Sequence, residues 1–274
     1  MAFSPSYLFC RGLMLAWSSA RGIKRRWLTL TGKNRHVQPP TWGQIAPEIQ
    51  ARFTMANRIP VQHQYLDDAY PETKPIHYSR FKINYFMKRI RARSFAYYGQ
   101  TLDCMHEAFT RFPLRDKDVA IMGSNTPVCE AMALIYGARP VTIEYNKLTT
   151  NDARLALMTV KEFQEHPRQF DAAISISSFE HDGLGRYGDP LNPDGDLAAM
   201  AGMKKVVKPG GLLYLAVPVG RDCLLWNANR IYGSMRFPML TAGWTVVDVA
   251  GKLDFEGDWS KENQPVVVLR NDAN

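Results

Sequence analysis

The sequence predicts an α/β fold built on a mostly parallel, seven-stranded sheet. Three observations carry that prediction. From Asp118 onward, short apolar and β-branched runs alternate with segments of helical spacing, the pattern of strands joined by crossover helices. The last connection, 251–264, has no helical pattern, so the final two strands read as an antiparallel hairpin. Apolar residues make up 46% of the 274 and charged residues 22%, which excludes disorder, collagen-like sequence and a coiled coil. No apolar stretch reaches the roughly 18 residues of a membrane span.

The front of the chain differs from the body. Residues 1–118 carry 19 Lys/Arg against 8 Asp/Glu, and residues 119–274 carry 15 against 18. No acidic residue precedes Glu48. Residues 6–17 are apolar but for Arg11 and are followed by Arg21, Lys24, Arg25 and Arg26. Residues 1–36 thus form a basic amphipathic segment, an N-terminal helical extension with three readings. It can lie on an anionic membrane surface, serve as an organelle transit peptide, or dock on the body. The Pro-rich stretch up to residue 79 reads as an irregular connector. Residues 80–112 recover helical spacing (Phe81, Tyr85, Phe86, Ile90, then Leu102, Met105, Phe109). Lys82, Lys88, Arg89, Arg91 and Arg93 are interleaved with aromatics there. A nucleic-acid partner is disfavoured, because no nucleic-acid motif accompanies them. Cys10, Cys104, Cys129 and Cys223 lack paired spacing, which disfavours zinc and disulfides and suits a reducing compartment. The expected location is cytoplasmic, with membrane association and organelle targeting both open.

Residues 80–274 form the α/β domain. VAIM (119–122) is its first strand and ends at Gly123. A helix over 124–137 follows, with Thr126 as cap, Pro127 in its first turn and Gly137 as its stop. PVTIEY (140–145) is the second strand and LALMTV (155–160) the third, with a short helix at 161–166. DAAISIS (171–177) is the fourth. A helix capped by Asp194 or Asp196 ends in Lys204, Lys205 and Lys208. Pro209-Gly210-Gly211 stops it, and LLYLAV (212–217) is the fifth strand. Helical segments are expected over 222–242. WTVVDVA (244–250) and PVVVLR (265–270) close the sheet, the last antiparallel between strands five and six.

Ligands of open α/β sheets bind at the carboxyl ends of the strands. Gly123-Ser124-Asn125-Thr126-Pro127 lies at one such end, where the glycine permits close backbone approach and the helix start offers free N–H groups. Glu144, 21 residues beyond Gly123, can accept hydrogen bonds from both ribose hydroxyls of a nucleoside. The loop after the fourth strand concentrates His181, Asp182, Arg186, Tyr187, Asp189, Asn192 and Asp194. It reads as a substrate site or as an elaborate turn whose aspartates accept backbone N–H groups. His181 is the candidate general base, with Asp182 or Asp189 to orient it. Arg186, Tyr187, Asn192 and, after the fifth strand, Arg221 are candidate substrate contacts. No metal-ligand spacing is recognisable.

The order strand–GSNTP–helix, strand–Glu144, FDAAISISSFEH and VVKPGGLLYLAVP resembles the class I S-adenosylmethionine-dependent methyltransferases. SSFEHDGLGRYGDPLNPDGDL (177–197) is more specific and resembles domain-of-unknown-function family 268. The likeness spans about residues 75–270. It implies a Rossmann-like, methyltransferase-type sheet and S-adenosylmethionine as cofactor. It also implies that Gly123 begins the cofactor loop, Glu144 holds the ribose, and Ser177, Ser178 and Phe179 approach the methionine end. Glu180-His181 matches a Glu-His pair common after the fourth strand. Asn125 and Pro127 stand where later glycines are usual, and Ile121 where an acid is usual. Methyl transfer to a small-molecule or saccharide acceptor is the leading expectation. A catalytically inactive methyltransferase-like binding or scaffold protein is the alternative, and a nicotinamide-dependent oxidoreductase is a third. An antiparallel final strand favours the methyltransferase over the oxidoreductase.

Overall fold

A computed structural model describes residues 38–67, 76–94, 97–258 and 264–272. The basic segment 1–36, and with it the membrane, transit-peptide and docked-helix readings, lies outside the described residues. No helix among the described residues is long and apolar enough to cross a membrane.

The central sheet has seven strands. In chain order they are β3 (Asp118–Met122), β4 (Arg139–Glu144), β6 (Ala156–Thr159), β7 (Phe170–Ile176), β8 (Val207–Ala216), β11 (Thr245–Ala250) and β12 (Val266–Arg270). Their spatial order is β11-β12-β8-β7-β3-β4-β6. β12 runs antiparallel to both β8 and β11, and the other pairs are parallel. This is the Rossmann-like, methyltransferase-type arrangement expected, with the last strand inserted between the fifth and sixth. The order reverses between β3 and β7, the kind of point at whose carboxyl ends open α/β sheets bind their ligands.

The sequence shows why β7 is central. Phe170, Ala172, Ala173, Ile174 and Ile176 are all buried, as a strand covered on both faces requires. Ala172, Ile174 and Ile176 point into one core layer, with α2 (Arg80–Arg91), α3 (Gln100–Arg111) and α4 (Val128–Ile135). Phe170 and Ala173 point into the other, with α6 (Gly195–Val206) and α7 (Arg236–Leu240). A short α5 (Val160–Glu165) starts from a capping box between Thr159 and Glu162.

Several expectations are corrected. The connector is folded in part: α1 (Pro47–Phe53) and β1 (Val61–His63) lie within it. Trp42 and Phe53 pack edge-on against Trp226 at 5.2 and 5.3 Å, and this apolar contact holds the segment down. Residues 222–242 are not mainly helical. They form β9 (Cys223–Trp226), parallel to β1, and β10 (Asn229–Ile231), antiparallel to β9, before the five-residue α7. Every residue of β9 and β10 is buried, so no helical face could be marked by spacing. Asp222 holds the start of α7 from a distance: it accepts from Gly233, Met235 and Arg236 N–H at 2.9, 2.9 and 3.1 Å. β8 starts directly at Val207, and its pairing with β7 slips over 208–211 before resuming at Leu212. The Pro-Gly-Gly sequence therefore makes an irregularity inside the strand. Pro127, in place of Thr126, is the N-cap of α4. A small parallel pair, β2 (Ile76–Tyr78) with β5 (Leu148–Thr150), occupies the stretch after Glu144.

Candidate active site at the strand tips

Gly123 ends β3 in the left-handed region, φ +64°, where glycine carries no penalty. Ser178 stands directly over it: a Cβ at residue 123 would lie 3.0 Å from Ser178 Cβ and closer still to its Oγ. The loop beyond is held from two sides. The Tyr78 hydroxyl donates to the Ser124 carbonyl. The Ser124 hydroxyl donates to Glu130 Oε2 at 3.1 Å, and Thr142 donates to Glu130 Oε1 at 2.7 Å. Glu130 is fully buried, and burial pushes its carboxyl up to about 7. It thus ties the loop to β4. Both anchors act on Ser124, and exposed Asn125 follows it directly.

Glu144 ends β4 and is buried to 6% exposure. Burial raises its carboxyl, while the Asn146 backbone N–H, 3.3 Å from Oε1, pulls the other way. Among the described residues no cation pairs with it.

The tip of β7 is the third wall. Ser177 sits at φ +53°, its N–H on the Ala216 carbonyl at 2.9 Å and its hydroxyl on Gln264 Oε1 at 2.8 Å. Phe179 is buried in the α6 side of the core, so its ring belongs to packing there. Glu180 is 1% exposed and its Oε2 has no hydrogen-bond partner. Burial pushes its carboxyl up to about 8. His181 Nδ1 lies 2.7 Å from the Ala228 carbonyl. A carbonyl can only accept, so Nδ1 carries the proton and Nε2 is the basic atom. Nε2 is 3.6 Å from Glu180 Oε1.

The loop 181–196 is an ordered turn as well as a polar cluster. Asp189 accepts from Gly183 and Gly185 N–H at 2.7 and 3.3 Å and from Tyr187 N–H at 3.4 Å. The carbonyl that orients His181 comes from the β9–β10 turn, in place of the expected Asp182 or Asp189. Arg230, buried on β10, donates to the carbonyls of Glu180, Asp182, Asn192 and Pro193. Asn192 is used in loop closure: its N–H meets the Gly183 carbonyl at 2.9 Å and its side chain accepts Asp194 N–H at 3.0 Å. Beneath, buried Asp196 takes Arg236 at 2.9 and 2.6 Å and the Tyr232 hydroxyl at 2.9 Å. Burial alone would raise Asp196, but Arg230 and Arg236 outweigh it and hold the carboxyl below its usual range.

Asp182 is half-buried. Burial and the Asp189 charge push it up to about 7, and Glu144 is close enough to add to the shift. Arg186 Nη1 shares the Ala228 carbonyl with His181 at 3.1 Å, and Tyr187 packs edge-on against His181 at 5.6 Å. Arg221 is not brought here. It pairs with Asp258 and lines a separate cavity of about 540 Å³ with Asp222, Cys223 and Met235. Among the described residues no cluster of three His, Cys, Asp or Glu is placed to hold a metal.

The sequence reading passed over Tyr78, Glu130 and Gln264. An acid inside the apolar run VCEAMALI was the available signal for Glu130. Tyr78 and Gln264 carry no local mark and are brought in by β2 and the approach to β12.

The family model described as "Caenorhabditis protein of unknown function, DUF268" matches residues 116–259, over half of the chain. The chain belongs to the DUF268 family. The match covers the three strand tips and the loop between them. A comparison with proteins of curated function returns no match. Among solved structures, the DUF268 chain is similar to the 1,6-didemethyltoxoflavin-N1-methyltransferase of Burkholderia thailandensis, with bound 1,6-didemethyltoxoflavin and S-adenosylhomocysteine. That likeness has 15% identity and a TM-score of 0.49, over 77% of this chain and 99% of that one. It is also similar to the N-methyltransferase NodS of Bradyrhizobium japonicum WM9, with 15% identity and a TM-score of 0.44, over 68% of this chain and 97% of that one.

Proposed function

We propose that this DUF268 chain binds S-adenosylmethionine across the tips of β3, β4 and β7 and transfers its methyl group to a hydroxyl or amine of a small-molecule or saccharide acceptor. The observation that carries the reading is the meeting of Gly123, Glu144 and the Ser177–Glu180 turn at the point where the strand order reverses. The residues present fit the group. Glu144 has no cation partner among the described residues, and in this reading its carboxylate accepts the two ribose hydroxyls. Gly123 and the loop fixed by Tyr78 and Glu130 leave backbone within reach of a ligand. Ser178, a small side chain over Gly123, would turn aside to admit the methionine end.

When bound, the cofactor supplies an activated methyl on a good leaving group, so alignment of the acceptor supplies much of the rate. In this reading His181 Nε2 takes the proton of the acceptor hydroxyl or ammonium. The Ala228 carbonyl keeps the tautomer that leaves Nε2 basic. Arg186, Tyr187 and Asp182 line the acceptor side. Asp189 and Asn192 hold the loop in shape.

A second reading, a scaffold without turnover, draws on Asn125 and Pro127 in the glycine loop and on Ser178 filling the space above Gly123. Thermal unfolding with added S-adenosylhomocysteine separates the two. At a hundredfold excess over its Kd, a ligand of the folded state contributes about 2.7 kcal/mol. A rise of several degrees in the thermal midpoint supports the methyltransferase reading. No rise at millimolar ligand supports the scaffold.

A further inference from the structure

We infer that the outward face of α2 is a docking surface for an anionic lipid membrane. α2 buries Ile83, Phe86, Met87 and Ile90 against the core. At 100° per residue, Phe81, Tyr85 and Lys88 form the opposite row, flanked by Asn84 and Arg91 on one side and Arg89 on the other. Phe81 is 82% exposed and Tyr85 45%. Two aromatic rings thus stand in one row on the solvent side, with Arg89 against the Tyr85 ring and hydroxyl.

The charge of the helix points the same way. Arg80, Lys82, Lys88, Arg89 and Arg91 lie within twelve residues, and no acid occurs between Glu72 and Asp103. Among the described residues no carboxylate forms an ion pair with any of these five. Arg80 and Lys82 stand in the first turn, where the helix dipole disfavours cations, and no acid accompanies them. An anionic partner reverses both penalties. Residues 1–47 contain no Asp or Glu and so offer these cations no side-chain carboxylate.

Cations flanking a row of exposed aromatics on one convex helix suit a headgroup layer, in which rings sit at the interface and each Lys or Arg adds attraction. A nucleic-acid single strand is bound in a groove with stacking platforms, which one helix face does not supply, and binding to a duplex is an outcome of the test below. The N-terminal end of α2 follows Tyr78, which bonds the Ser124 carbonyl, so docking would set the lipid surface beside the cofactor loop.

The test is co-sedimentation of the full chain with vesicles of phosphatidylcholine alone and with added phosphatidylserine. The wild type should bind the anionic vesicles in a salt-sensitive way. Combining Lys82→Glu, Lys88→Glu and Arg91→Glu should weaken that binding at least about tenfold. Phe81→Ser should weaken it several-fold with the salt dependence unchanged, and it keeps the test open if the triple variant does not fold. Full binding by both variants, equal binding to neutral vesicles, or binding to duplex DNA or RNA with none to vesicles would overturn the inference.

Discussion

Ser178 fills the space that a side chain at residue 123 would need. Gly123 is thus set by two independent demands: its left-handed φ of +64° and the 3.0 Å approach of Ser178 Cβ to an added Cβ. Gly123→Ala should lower stability by about 1–3 kcal/mol, from strain plus the forced shift of Ser178. Adding Ser178→Gly should recover the steric part and leave the backbone part. Urea unfolding of the two variants checks this. A single variant as stable as wild type would mean that the tips of β3 and β7 are not so closely apposed.

Stability should fall as the pH rises through neutrality. Glu130 and Glu180 are raised by burial from 4.5 to about 7 and about 8. In that interval the folded chain holds protons that the unfolded chain has released. Their stabilising effect is complete below about pH 4.5 and is lost as the pH rises to about 7 and 8. Glu180→Gln, which cannot ionise, should flatten the decline between pH 6 and 8, by roughly a few kcal/mol at most. Thermal midpoints across pH 5–9 test this, and an unchanged slope in the variant refutes the assignment.

Asp189 should prove a loop residue. Asp189→Ala removes the acceptor of the Gly183 and Gly185 N–H groups and should cost about 1–2 kcal/mol. Amide hydrogen exchange should speed up across 183–189 while the β7 amides stay protected. Faster exchange throughout the sheet would place its role elsewhere.

His181→Ala should slow S-adenosylhomocysteine release with any productive acceptor by roughly 10²–10⁴-fold. Cofactor affinity should barely change, because Nδ1 meets the Ala228 carbonyl and Nε2 faces Glu180, and neither meets Glu144. Equal losses in affinity and turnover would make His181 a support of the pocket.

The sheet was legible because parallel strands carry their own mark: FDAAISI and VAIM are continuous apolar runs, and helix-free 251–264 betrayed the antiparallel β12. The β9–β10 hairpin was not, since CLLW and NRI are buried at every position and show no period. Strand tips could be found from the sequence, which places Gly123, Glu144 and the Ser177–His181 turn at chain positions. What each side chain contacts could not. Asp189 reads as the group that orients His181, and Asn192 as a substrate contact, until their side chains are seen to accept the Gly183 and Asp194 N–H groups. Arg221 follows the right strand but turns toward Asp258. The partner of His181 is a main-chain carbonyl, and no residue type announces that.

The central claim is that Glu144 holds the ribose of an adenosyl ligand, and calorimetric titration with S-adenosylhomocysteine tests it most directly. The wild type should bind saturably with one site. Glu144→Gln should bind about 10–100-fold more weakly, the loss of about 1–3 kcal/mol in charge-assisted hydrogen bonding, at an unchanged thermal midpoint without ligand. Equal affinities of the two proteins, or no saturable binding by the wild type, would contradict the account.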